Sequence, residues 1–266
     1  MKRAAVLGLC VLATGFLAAE PVSRSPRGGV ASSYVFPSAA NTPGLNGAFF
    51  KTRMVLTNPT GLAISITAEL TTDKGSGVTK TIALAASETR IYENFLEEVF
   101  SATGGGGVVL WESTNSRPFY AVGEVWAENA GGRFTTPLVG MSADDRVVNL
   151  AMQETGFSTS TGLRVNASNR ANFGCTNTDA TPVAIRADIY NETSVGIAAP
   201  TATVTLNVPA NGWVQSAVPV SGEKIKILFW QLSAGGLYGS YCYGVNVNNQ
   251  SNDGTVVPAF YAPLIK

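Results

Sequence analysis

A segment near the start of the chain recurs once, and this recurrence limits what the chain can fold into. Arg53–Asn58 returns in altered form as Asn172–Asn177, and the alternating segment Ile64–Leu70 returns as Val183–Ile189. Both pairs have the same separation (177 − 58 = 119). A single period of this length indicates a duplicated domain, because the repeats of solenoid proteins are only about 20–50 residues long.

The length and residue pattern agree with such a duplication. The chain has 266 residues, enough for two domains of about 110 residues that each bury a core. Apolar and polar residues alternate in short segments that turn residues separate, and only 94–100 has helical spacing. The sequence therefore predicts an all-β protein of two tandem antiparallel β-sandwich domains, over residues 34–143 and 146–266, related by internal duplication.

The first residues have the pattern of an export signal. A positively charged start, an apolar run and small residues at its end predict a signal peptide over residues 1–19. A lipoprotein signal acylated at Cys10 is the alternative, although Leu9 stands where such a signal needs a small side chain. Residues 20–33 have no apolar periodicity and are predicted to form a flexible leader. We expect a secreted or cell-surface protein whose mature chain has no membrane span.

Two cysteines, Cys175 and Cys242, remain after removal of the signal peptide. An even pair in an exported protein predicts a disulfide, and two free core thiols are the alternative. The 119-residue offset places these cysteines at the positions of Leu56 and Gly123 in the first repeat. We therefore expect the disulfide to cross the sandwich between facing core positions.

Composition excludes several classes of function. The chain contains no histidine, which removes nucleophile systems and metal sites that depend on imidazole. Its formal net charge is zero, so no basic field attracts nucleic acid. The glycine-rich segment 104–107 lacks the lysine and hydroxyl residues of a phosphate-binding loop. We expect a non-enzymatic protein with no catalytic residues, no cofactor and no metal site.

Two groups of oxygen-bearing side chains still need an interpretation. Glu112, Glu124 and Glu128 lie on neighbouring predicted strands and are either a carboxylate pair for glycoside hydrolysis or ordinary solvated residues. The polar segment Asn248–Asp253 is either a calcium-binding loop or a hairpin turn.

Aromatic residues on two predicted strands are candidates for ligand binding. Alternation places Glu124 and Trp126 on the outward face of one strand, and Tyr241 and Tyr243 on the corresponding strand of the second repeat. Exposed rings on a sheet stack on sugars or anchor a protein partner. The alternative is that this face packs against the other domain or under a loop.

The passage from Pro43 to Pro59 resembles the opening of immunoglobulin-like sandwich repeats in exported bacterial proteins. Leu84–Ala86 and Val208–Gly212 resemble a later strand and turn of the same repeats, whereas Thr178 stands where the second repeat should have proline. The resemblance implies a surface-exposed or secreted module without a common set of catalytic residues.

These observations predict a secreted, non-enzymatic protein that acts as a structural or adhesive module at the cell surface. Its expected partners are a protein or glycan at that surface, or a second copy of itself, and not nucleic acid. A carbohydrate-binding module that uses the aromatic faces is the second hypothesis, and a glycosidase-like enzyme is the third.

Overall fold

The computed structural model describes residues 31–75, 77–129, 132–152, 156–191, 199–232 and 239–263. The predicted signal peptide, Cys10 and the leader up to residue 30 lie outside these ranges. The described residues form an all-β protein with antiparallel strands, as predicted. Its helices are α1 (Phe95–Phe100) and short 3-10 helices at Leu45–Gly47, Ala143–Asp145 and Leu150–Met152.

Strands occupy both halves of the chain. The first half (residues 31–141) contains β1 Ser33–Pro43, β2 Phe49–Thr57, β3 Ile64–Thr71, β4 Val78–Leu84, β5 Thr89–Tyr92, β6 Gly104–Glu112, β7 Tyr120–Asn129 and β8 Gly132–Leu138. The second half (residues 147–263) contains β9 Gly156–Val165, β10 Asn169–Asn177, β11 Val183–Tyr190, β12 Ala202–Val208, β13 Trp213–Ala217, β14 Gly222–Gln231, β15 Ser240–Asn248, β16 Gly254–Pro258 and β17 Phe260–Pro263.

The strands of both halves follow the same order. In the first half, β4-β3-β6-β1 form one layer and β5-β2-β7-β8 the other, and the end of β1 pairs with β2 and joins the layers. In the second half the corresponding sheets are β12-β11-β14-β9-β17 and β13-β10-β15-β16. The counterpart of β17 in the first half is an isolated bridge between Val35 and Met141.

This order differs from that of a constant-type immunoglobulin domain in one respect. There the last strand pairs with the strand before it, and the first strand pairs with the second in the opposite sheet. Here most of β1 lies beside β6, and β7 takes the place beside β2 that the first strand has in that domain. The antiparallel sheets are therefore confirmed, and the immunoglobulin-like resemblance stays an interpretation.

Each half has its own hydrophobic core between its two layers. Alternation along β3 and β11 turns one side of each strand inward, as the sequence predicted. The core of the first half includes Phe36, Leu56, Ile66, Phe95 and Leu110. The core of the second half includes Leu163, Phe173, Ile185, Ile227 and Phe229.

Some boundaries differ from the predictions. Ala31 pairs with Phe119 and Ser33 begins β1, so the end of the predicted leader belongs to the sheet. The strands β5, β9 and β13 are short or polar, and such strands carry only a weak alternation signal in the sequence.

Two buried asparagines explain why the opening segment recurs. Asn58 follows β2, and its side-chain amide donates to Leu62 O at 2.8 Å and to Ala85 O at 2.7 Å. Asn177 at the end of β10 donates in the same way to Thr181 O at 2.8 Å and to Pro209 O at 2.9 Å. Each side chain thereby ties two loops to the end of a strand.

The disulfide between Cys175 and Cys242 is confirmed, but its predicted position is wrong. The two residues are directly opposite each other on β10 and β15, which are neighbours in one sheet. In the first half the corresponding pair is Leu56 with Ala121, and Gly123 lies two residues further on. The constant sequence offset misled the assignment, because the offset between β7 and β15 differs by two residues from that between β2 and β10.

The two halves pack closely against each other. The outer face of β10 and β15 lies against β1 and β6, and Thr176 Oγ1 donates to Pro37 O at 3.2 Å. Gly107 makes this approach possible, because a Cβ there would collide with the Thr176 side chain. The backbone N–H of Trp213 also donates to Thr72 O at 2.8 Å, which continues the contact at the sheet edge.

We predict that Asn177→Ala lowers the free energy of unfolding by about 1–3 kcal/mol, because it leaves two loop carbonyls without their donor. Asn207→Ala is the matched control, since Asn207 is exposed on β12. Urea unfolding followed by circular dichroism measures both. Equal midpoints for the two variants would show that the asparagine bonds contribute nothing.

A second prediction concerns the disulfide, which joins cysteines 67 residues apart. Replacing both cysteines with alanine should cost on the order of 4 kcal/mol, because the unfolded chain regains the freedom that the link removes. The variant Cys175→Leu/Cys242→Ala copies the Leu56–Ala121 pair and separates the loss of the link from the loss of core volume. If reduction of the native protein leaves its urea midpoint unchanged, the prediction is wrong.

Candidate functional site

Trp126 lies on the outward face of β7 but is covered, so the expectation of an exposed ring is wrong. The Arg133 guanidinium lies 3.9 Å from the ring centroid and Lys51 Nζ lies 5.0 Å from it. The indole N–H donates to Glu93 O at 3.3 Å. Only 7% of the residue is exposed, and two cations lie over the ring on which a sugar would have to stack.

Glu124 belongs to a network of charges beside this ring. Arg53 Nη1 lies 3.5 Å from Glu124 Oε1, and Arg53 Nε lies 3.1 Å from Glu93 Oε1. Half-buried and exposed ion pairs of this kind contribute little stability. The network fixes the orientation of the Glu124 carboxylate at the edge of an open sheet face.

Tyr241 and Tyr243 lie in the interface between the halves, far along the chain from Trp126. Tyr241 is buried against Val35 and Met141 of the first half, and burial raises its pKa to about 12. Tyr243 is fully buried, which raises its pKa, and its hydroxyl donates to Gln215 Oε1 at 2.7 Å. The alternative weighed from the sequence, packing against the other domain, therefore applies to both tyrosines.

The equivalent face of the first half is open. Val55 on β2 pairs with Ile91 on β5 and with Val122 on β7, which places these three side chains in a row across the sheet. Ile91 is 51% exposed and Val122 is 62% exposed, and the half-exposed ring of Tyr120 follows on the same face of β7. We call these four residues the open apolar row. Sequence reasoning missed it, because it treated the outward face as aromatic.

The three candidate carboxylates do not form a catalytic pair. Glu112 is buried at the end of β6, where Oε2 accepts the backbone N–H of Asn115 at 2.7 Å and of Arg117 at 3.0 Å. Burial alone would raise its pKa, but these bonds and others from the backbone lower it to about 2. Glu112 therefore holds a turn, while Glu128 is exposed on β7.

The polar segment 248–253 is a hairpin turn between β15 and β16. Asn248 Oδ1 accepts the backbone N–H of Gln250 at 2.8 Å and of Ser251 at 3.0 Å. The buried Asn252 donates to Leu45 O of the first half at 2.8 Å. Within the described residues, no three side chains of histidine, cysteine, aspartate or glutamate cluster as metal ligands would.

A cavity of about 350 Å³ lies between the halves. One wall comes from the first half and is mainly apolar. Its principal side chains are Ala39, Phe50, Val125, Ala127 and Phe134. The opposite wall comes from the outer face of the second half. It includes Arg170, Asn172, Trp213, Gln215, Val245 and Val247. The volume lies at the lower end of the range of small-molecule pockets, about 300–1,000 Å³.

Arg170 is the charged residue of this wall. Its Nη1 donates to Asn249 Oδ1 at 3.2 Å and its Nη2 to Asn252 Oδ1 at 2.9 Å. Among the described residues no carboxylate lies within 4.0 Å of it, and desolvation lowers its pKa. Arg170 is half-buried, so its partial desolvation is not offset by an opposite charge of the described residues.

No family model matches the chain, and a search of curated proteins gives no match. In the part of the chain that the structure describes, no helix is long and apolar enough to cross a membrane.

We predict that Glu112→Gln removes an acid-sensitive part of the stability. Because the folded pKa lies below the ordinary value of 4.5, the carboxylate stabilises the protein above that pH, and the contribution is lost as the pH falls towards 2. The variant should lose about 1–3 kcal/mol at pH 7 and show a flatter dependence between pH 5 and about 2. Urea midpoints across this range, with the exposed Glu128→Gln as control, test it. Parallel pH curves for native protein and Glu112→Gln would contradict the role of Glu112.

Proposed function

We propose that the chain is an exported, non-enzymatic structural or adhesive module of two tandem β-sandwiches, over residues 34–143 and 146–266, that arose by duplication. The shared strand order and the paired asparagines Asn58 and Asn177 support the duplication. The disulfide supports export, because such links persist in oxidising compartments. The resemblance to immunoglobulin-like repeats remains part of this proposal at the level of a sandwich module.

The open apolar row carries the proposal. In the second half the same positions of the sheet are Gly174, Gln215 and Tyr243; Gly174 and Tyr243 are buried, while Gln215 is exposed at the edge of the sheet. In the first half these positions are Val55, Ile91 and Val122. A sheet face that is buried in one half and left open and apolar in the other is suited to contact with a second protein.

A rigid arrangement of the halves supports a structural role. Direct bonds such as Asn252 to Leu45 O and Thr176 to Pro37 O cross the interface. Val35, Met141 and Tyr241 form a small shared core there. Such an interface holds the open row at a fixed angle to the second half, as a load-carrying or adhesive module needs.

The carbohydrate-binding hypothesis has lost its main support. It required exposed rings at Trp126, Tyr241 and Tyr243, and all three are buried. The glycosidase hypothesis required facing carboxylates, and Glu112 is engaged by the backbone. We propose neither activity.

We predict that Ile91→Lys/Val122→Lys weakens association by at least tenfold, because two buried cations would replace apolar contacts. Sedimentation velocity measures association with a second copy, and cosedimentation with the envelope fraction of the native cell measures association with a surface partner. Leu62→Lys is the control, since Leu62 is 59% exposed in a loop away from the row. Association that survives the double substitution, or a native protein that binds neither itself nor the envelope, would refute the proposed use of the row.

A further inference from the structure

We propose that the cavity between the halves binds a small organic carboxylate with an apolar body, whose carboxylate lies against Arg170 and Asn172. This site is separate from the open apolar row, and it does not depend on the structural or adhesive role proposed above.

The second-half wall holds donors that have no acceptor among the described residues. A guanidinium has five N–H groups, and Arg170 uses two of them on Asn249 and Asn252. The amide of Asn172 makes no hydrogen bond with the described residues, although it lines the same cavity. The two residues are two positions apart on β10, so their side chains point to the same side of the sheet.

The second-half wall also has a positive charge without a nearby negative one. Within the described residues Arg170 has no carboxylate within ion-pair distance, while its two amide partners supply only partial negative charge. A planar guanidinium with free N–H groups matches a carboxylate in geometry, because two parallel bonds form. A bound carboxylate would supply the missing counter-charge and an acceptor for Asn172 together.

The first-half wall determines the rest of the ligand. Phe50, Val125, Ala127 and Phe134 face the cavity and offer no charged group. A chain or ring of carbon atoms fits such a surface, and its burial provides most of the binding free energy. A sugar fits this wall poorly, because Ser38, Thr42 and Thr136 offer few partners for its hydroxyl groups and the rest of the wall is apolar.

Comparison of the halves shows that a cation without an aromatic partner is specific to the second half. Lys51 occupies on β2 the position that Arg170 occupies on β10, and it lies opposite Trp126 and over its ring. The residue opposite Arg170 is Val247, which offers no aromatic face. The cation that covers a ring in the first half therefore has no such partner in the second.

The experiment uses hexanoate as the probe and hexanamide and hexylamine as matched compounds. Titration of the full mature protein is followed by amide chemical shifts in NMR and by the fluorescence of Trp213, which lines the cavity. We expect saturable hexanoate binding with a dissociation constant of about 1 mM or tighter. Hexanamide and hexylamine should bind at least tenfold more weakly. Equal affinity for the acid and the amide, or no saturation by hexanoate, would overturn the proposal.

Two substitutions test the residues. Arg170→Met keeps the apolar stem and removes the guanidinium, and it should weaken hexanoate binding at least tenfold while leaving hexanamide binding unchanged. Ala127→Leu fills the cavity from the opposite wall without contacting Arg170, and it should weaken binding of both compounds. Arg164→Met is the control, since Arg164 is exposed on β9. If Arg170→Met fails to fold, the Ala127→Leu result still decides whether hexanoate occupies the cavity. Native affinity in the folded Ala127→Leu protein would refute the site.

Discussion

The hydrogen bonds of two buried asparagines organise both halves of the molecule. Asn58 and Asn177 each end the second strand of a half, and each donates to the carbonyl four residues later and to a carbonyl after the fourth strand. Each side-chain oxygen also accepts the N–H two residues on. No other side chain supplies two donors and an acceptor of this size, since a carboxylate cannot donate and an alanine can do neither. The loops that connect the two layers are therefore fixed at one point in each half.

From this shared frame the halves diverge at their outer faces. The central position of the face is Val55 in the first half and Gly174 in the second. A Cβ at Gly174 would lie 2.6 Å from Val214 O and 2.8 Å from the Tyr243 hydroxyl oxygen, so glycine is required beneath the buried tyrosine. Gly107 plays the matching role on the other side of the interface. Gly174 and Gly107 thus permit the close packing of the halves. The corresponding face of the first half has larger apolar residues such as Val55 and is not covered.

The sequence predicts those features that depend on local pattern. Alternation found β3 and β11, helical spacing found Phe95–Phe100, and cysteine count with export found the disulfide. The sequence did not predict features that depend on contacts between residues far apart in the chain. The two-residue difference between strand offsets moved the partner of Leu56 from Gly123 to Ala121, and no local pattern records such a shift. Burial of Tyr241 and Tyr243 depends on the other half of the chain, and Trp126 is covered by side chains of neighbouring strands. Alternation along one strand describes neither contact.

The same limit explains why the cavity could not be predicted. Its walls come from the inner face of one half and the outer face of the other, and the two are joined only by the interface. On sequence alone Arg170 is an ordinary basic residue of a polar strand end, because neither Val247 opposite it nor Phe134 across the cavity is near it in the chain. Packing of the halves leaves Arg170 half-buried beside the cavity, and no carboxylate among the described residues lies within ion-pair distance of it. The interface that makes the molecule rigid therefore also creates the unbalanced charge, and both consequences follow from burial of the same sheet face.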